Sequence, residues 1–149
     1  MPFTNYLDQQ LVQLAFGDVA WAPPATLYVA LSTSAPTQAV GTSAVAWNFV
    51  ELPVANGYGR VACVNNGTEW VVAPSEPVSG YEVQNGVTVA FPLSTGPWVS
   101  GNPIGWFGIF DAAVAGNLLA FGAATPTITV PGPGYIPEFA PGELTTSIT

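Results

Sequence analysis

The chain has 149 residues, of which 49% are hydrophobic and only 7% are charged, and one basic side chain against nine acidic ones gives a net charge of −8. This balance excludes nucleic-acid binding, which needs Lys and Arg to neutralise phosphates, and it disfavours contact with anionic membranes. Because the chain has no His, no Lys and a single Cys, it cannot build a Ser–His–Asp or Cys–His nucleophile, a Lys-dependent phosphate site or an intrachain disulfide.

The apolar content does not indicate a membrane span. No stretch reaches the ~18 consecutive apolar residues that a spanning helix needs, and the first residues lack the basic region and apolar core of a signal peptide. We therefore expect that the chain, made in a cytoplasm, carries no export signal of its own. So few charges would leave a monomer with exposed apolar patches, which predicts that copies of the chain or a partner cover much of its surface.

The N-terminal segment 1–22 is predicted to be a helix or arm, with the helix itself over residues 3–17. Asn5 is expected to cap its start and Gly17 to end it. The apolar positions at helical spacing are Leu7, Leu11, Leu14 and Ala15. Two interpretations remain open: a helix packed on its own domain, and an arm that docks on a neighbouring subunit.

After Pro23-Pro24 the pattern is that of β-structure, and residues 23–149 are expected to form the rest of a single all-β domain. About eight strands with short turns predict a β-sandwich or jelly-roll. The strand at 104–110 is expected to be central and buried. The second and third strands are expected to form a hairpin through Asn65-Asn66-Gly67. The predicted strands are 26–32, 58–64, 68–72, 87–91, 104–110, 117–122, 127–130 and 144–149.

Two long segments, 33–57 and 131–142, interrupt the strands, and loops of this length are uncommon unless they bind something. The second contains four prolines, which keep it extended and exclude a central strand. Aromatic residues in such loops indicate contacts with a partner. The residues expected to contact another subunit are Leu7, Leu11, Trp47, Phe49, Tyr135 and Phe139.

The sequence gives little indication of acid–base catalysis or of a metal site. No pair among the nine carboxylates has a spacing that indicates catalysis, and no closely spaced acidic loop indicates calcium. Cys63, between Ala62 and Val64, is expected to be a small buried apolar residue. The five tryptophans indicate core packing, a sugar-stacking surface or a protein interface. We predict no catalytic residue, no metal and no cofactor.

Arg60 is the only Lys or Arg in the chain and falls within a predicted strand. An arginine there is expected to pair with a carboxylate of the same chain, since its guanidinium can bind both carboxylate oxygens. Asp111, at the end of the buried strand, is the first candidate partner. The alternative is a salt bridge to a partner protein.

Motifs spread over nearly the whole chain resemble, in the same order, a family of small tailed-bacteriophage virion proteins. Each motif is weak by itself, and the ordered set carries the resemblance. The motifs are Thr4–Leu7, Leu27–Thr37, Gly57-Tyr58-Gly59-Arg60, Phe107–Ala113 with Gly116–Leu119, and Phe139–Leu144. The chain departs from the family pattern in the segments 33–57 and 131–142.

The resemblance implies a virion component that is not an enzyme. Members are often labelled tail-fibre proteins, and some resemble capsid decoration, or cement, proteins. The leading hypothesis is a decoration protein on the outer capsid surface, assembled in the host cytoplasm. It would bind the major capsid protein and further copies of itself, as a trimer first and a dimer second. The alternatives are a tail or tail-fibre component and a carbohydrate-binding module on the virion surface.

Overall fold

The structure, a computed structural model, describes residues 3–17, 20–38, 47–74 and 80–148. Within these residues the chain forms one helix and eleven strands. The elements are α1 (Asn5–Ala15), β1 (Thr26–Ser32), β2 (Thr37–Gln38), β3 (Trp47–Asn48), β4 (Val61–Val64), β5 (Trp70–Pro74), β6 (Tyr81–Asn85), β7 (Val89–Ala90), β8 (Ile104–Phe110), β9 (Leu118–Ile128), β10 (Glu138–Phe139) and β11 (Thr145–Ile148).

The largest sheet has four antiparallel strands in the order β4-β1-β8-β9. Its central strands, β1 and β8, are in register with Leu31 opposite Phe107 and Val29 opposite Ile109. Both strands are largely apolar, and strands covered on both faces need such runs. The prediction that residues 104–110 form a buried central strand is confirmed.

A second antiparallel sheet has the order β11-β6-β5, and two short pairs, β10-β7 and β2-β3, complete the described strands. The main core cluster combines residues of both larger sheets, among them Leu31, Trp70 and Phe107. The predicted all-β fold with a short N-terminal helix is confirmed.

The opposite face of the four-stranded sheet has a smaller apolar cluster. Because side chains alternate along a strand, Val29 and Leu31 of β1 enter the main core while Ala30 lies in the smaller cluster. Trp47 and Phe49 pack on this second face. Phe49 lies against Gly108, where an added Cβ would come within 2.9 Å of its ring.

The residue that caps the start of α1 lies one position earlier in the chain than the sequence predicted. Thr4, rather than Asn5, is the N-cap, and its side chain accepts a hydrogen bond from the Leu7 amide. Thr4 also donates to main-chain carbonyls of Leu118 and Leu119, which fixes the start of α1 on β9. Gly17 follows the helix at φ 70, the left-handed conformation predicted for it.

The predicted hairpin between residues 58–64 and 68–72 is wrong. β4 pairs with β1, whereas β5 pairs with β6. The cause is Asn66, whose side-chain oxygen accepts hydrogen bonds from the amides of Thr68 and Glu69, both at 2.8 Å. This closed turn sends the chain to the other sheet instead of back along β4.

The strand bounds also differ in places from those predicted. The strands expected at 117–122 and 127–130 are one strand, β9, and β6 was not predicted. The segment 33–57 contains β2 and β3, with residues 39–46 outside the described part. The segment 131–142 runs along residues 91–98 and contributes the two-residue strand β10, and its amides and carbonyls bond to Ser94 and Phe91.

Cys63 gives a first test of this core. It is buried in the main cluster, and burial, with a smaller contribution from the negative charge of Glu69, raises the pKa of its thiol to about 11. Because the thiolate is the reactive species, we expect an aromatic disulfide reagent at pH 8 to leave the folded protein unmodified and to react once urea unfolds it. Equal rates in both conditions would contradict the placement of Cys63.

Candidate functional site

Arg60 is held by an ion pair with Glu51 of the same chain. Its Nη2 lies 2.7 Å from Glu51 Oε2, and its Nε donates to both carboxylate oxygens at 3.0 and 3.1 Å. The Arg60 side chain is only 8% exposed and that of Glu51 is 22% exposed. These paired, charge-assisted hydrogen bonds are the strongest type that side chains form. They join Glu51, in the segment before β4, to Arg60, the residue that directly precedes β4.

The same guanidinium also fastens the turn between β8 and β9. Its Nη1 donates to the carbonyls of Ala112 at 2.7 Å and Ala115 at 2.8 Å. Its central carbon lies 3.7 Å from the centre of the Phe110 ring, a cation–π arrangement. We call Arg60, Glu51 and this turn the arginine clamp.

Asp111, the predicted partner, does not pair with Arg60. Its carboxylate instead accepts hydrogen bonds from the main-chain and side-chain nitrogens of Asn117, at 2.7 and 2.8 Å. Gly116 sits at φ 75 so close to Asp111 that a Cβ would come within 2.5 Å of its oxygen. Asp111 therefore closes the turn, and Arg60 donates hydrogen bonds to the main-chain carbonyls of the closed turn.

Tyr58 connects the clamp to the centre of the main sheet. Its hydroxyl donates to Glu51 Oε1 at 3.1 Å and accepts from the Leu31 amide at 2.9 Å. Burial, supported by the negative charge of Glu51, raises the pKa of the Tyr58 phenol far above its ordinary value. The hydroxyl thus remains protonated and gives Glu51 a neutral donor beside the charged guanidinium.

A second polar centre, unnoticed in the sequence, lies at Asn85. The residue is fully buried, and its amide donates to the carbonyls of Val87 and Ala140 while its oxygen accepts from the Leu144 amide. These bonds shape the turn from Phe139 to Leu144. The sequence showed only an Asn-Gly turn here, because nothing local indicates that a polar residue will be buried.

The residues expected to contact another subunit fall into different environments. Leu7 is half-buried against the main core, whereas Leu11 and Tyr135 are exposed. Trp47 and Phe49 are half-buried, with Trp47 against Phe121 at 4.6 Å between ring centres. Phe139, expected at an interface, is instead a fully buried core residue, because β10 carries it under β7. Contact of the others with a partner remains a prediction.

An apolar groove lies between the start of α1 and the two larger sheets, with a volume of about 360 Å³. Its floor includes the core residues Phe3 and Ile109, and its rim includes Leu7, Trp21 and Val72. Among the residues that the structure describes, no charged side chain lines it. An opening of this kind accepts apolar side chains rather than an ionic ligand.

The described residues contain no group of three or more His, Cys, Asp or Glu side chains that could hold a metal ion. The one helix found in the same residues, α1, is too short to cross a membrane. Two of the tryptophans, Trp70 and Trp98, are core residues. The features that stand out are therefore the clamp, the groove and the exposed face of α1.

Comparison with known proteins gives one family. The family described as "Podophage GP4 fiber I protein gp80" matches residues 2–147, which is nearly the whole chain. No curated protein sequence matches.

The clamp predicts a large loss of stability when Arg60 is removed. Arg60→Met should lower the free energy of unfolding by about 2–4 kcal/mol, because Glu51 keeps its buried charge without a counter-charge. Urea unfolding measures the change. Glu138→Gln, an exposed carboxylate on β10, is the control and should stay within about 0.5 kcal/mol of the parent. Equal effects of the two substitutions would contradict the clamp.

The buried phenol of Tyr58 predicts that the difference in stability between the parent and a Tyr58→Phe variant depends on pH. Tyr58→Phe should cost about 1–3 kcal/mol at pH 7, because the Leu31 amide loses its acceptor. Since folding raises the pKa of the Tyr58 phenol, its stabilising contribution is complete below the unfolded-state value of about 10 and declines above it. The stability gap between parent and variant should therefore narrow as the pH rises past 10. A gap that widens there would contradict this assignment.

Proposed function

The chain belongs to the family described as podophage GP4 fiber I protein gp80, and from this membership we propose that it is a fibre-type structural subunit on the outside of a phage particle. The family description is that of a phage fibre protein, and the match includes every described element of the fold except the last residue of β11. That match is the observation that carries the proposal.

The structure supports a structural role in two ways. The single basic side chain is engaged within the fold, so that none is left to bind nucleic acid or a substrate phosphate. The hydrogen-bonding capacity of the clamp and of Asn85 serves to fix turns rather than to surround an open polar cavity. Rigid turns and an uncharged groove suit a subunit that must hold its shape within an assembly.

A capsid decoration protein is the second candidate, and a specific observation favours it. The described residues form short antiparallel sheets around one main core, and no strand among them exceeds 11 residues. The long repeated shaft that extends many fibres is not part of this arrangement. A small closed domain of this type also suits a subunit that binds the outer shell directly, next to the major capsid protein.

The copy number in purified particles tests the proposal. A fibre-type subunit should be present in a few copies, located by antibody labelling at the tail or its attachment point. Labelling distributed over the whole head, with a copy number close to that of the major capsid protein, would favour decoration instead. Absence of the chain from purified particles would contradict both candidates.

A further inference from the structure

The helix α1 exposes most of its apolar residues. None of its residues is buried, and Leu11, Val12 and Leu14 are exposed, as is Phe16 at its C-terminal end. An isolated helix of 11 residues is marginal in water, and tertiary packing normally supplies its stability. Within the described part of the chain, such packing is found at the first turn, through Thr4 and the half-buried Leu7.

The apolar groove lies beside this helix and shares Leu7 with it. On α1, Leu11 and Leu14 follow Leu7 on the same side of the helix, whereas Val12 and Phe16 lie on its other side. We call the groove together with this Leu7–Leu11–Leu14 side of α1 the helix–groove face. The indole nitrogen of Trp70, a residue that lines the groove, is buried and has no hydrogen-bond acceptor among the described residues. An unsatisfied buried donor is costly, and the indole nitrogen of Trp47, which lies outside the groove, is likewise unpaired among the described residues.

Charge decides which partner fits this face. Asp8 is the only charged residue of α1, and none of the described residues that line the groove is charged. The chain as a whole has a net charge of −8. A basic partner would be attracted to the acidic parts of the surface, where its charges are matched, and not to this neutral part. A copy of the same chain offers a matching neutral helix and groove.

We propose that a second copy of this chain covers the helix–groove face, with the exposed apolar residues of one helix in the groove of the other copy. A surface that carries both the projecting helix and the receiving groove can close on itself in a symmetric oligomer. The contact does not depend on whether the protein lies on the head or the tail.

Sedimentation of the purified full-length chain over a wide concentration range tests this contact. Leu11 and Leu14 are exposed on the groove side of α1, whereas Val114 is an exposed apolar residue on the β8–β9 turn, outside the groove. Leu14→Glu should weaken self-association by about a hundredfold, since it places a carboxylate in an apolar contact. Leu11→Glu should act in the same direction. Val114→Glu should associate as the parent does.

Hydrogen exchange of the unaltered protein provides a second measurement that does not depend on a variant folding. Amides of α1 and β5 should become more protected as the concentration rises, whereas those of residues 111–117 should not change. A parent chain that stays monomeric at all concentrations would overturn the proposal. So would an oligomer that Val114→Glu dissociates and the two helix variants leave intact.

Discussion

The ion pair between Arg60 and Glu51 is the constraint on which the surrounding structure depends. Five hydrogen bonds from the guanidinium, to two carboxylate oxygens and two main-chain carbonyls, hold the segment before β4 and the β8–β9 turn. Through Tyr58 the same ion pair is connected to the central strand β1. Removing one partner leaves an uncompensated charge in a nearly buried site. In a chain with one basic side chain, nothing else can take its place.

Because Arg60, the one basic side chain, pairs with Glu51 of the same chain, ion pairs between copies have no basic side chain to use. The remaining carboxylates have no basic side chain to pair with, so that the surface repels copies of itself wherever acidic residues face each other. The proposed contacts between copies would therefore lie where the surface is apolar and uncharged. The exposed side of α1 and the groove beside it meet that condition. A structural subunit of a phage particle needs such permanent contacts and no catalytic apparatus.

The sequence predicted those features whose cause is local. The strands at 26–32 and 104–110 have the predicted bounds, because continuous β-forming apolar runs identify buried strands. Gly17 was also predicted, since a left-handed residue ends many helices. The all-β fold follows from the same short-range signals and from the spacing of the turns.

Features that depend on distant contacts were missed or misassigned. Glu51 lies in a segment that had the composition of a loop, and only the folded chain brings it to Arg60 rather than Asp111. Asn-Gly is a common hairpin turn, but here the side chain of Asn66 closes a different turn, so that the predicted hairpin does not form. The sequence also did not predict that the proline-rich segment places Phe139 in the core, because β7, the strand with which β10 pairs, is far away in sequence.

The central claim is that the only basic side chain is used inside the fold, so that association between copies is apolar. The dependence of the self-association constant on NaCl concentration tests this most directly. Salt screens the repulsion between subunits of net charge −8 and leaves apolar contacts intact. The account predicts an association constant that is unchanged or larger at high salt. An association constant that falls steeply as NaCl is added would show that ion pairs hold the copies together and would contradict it.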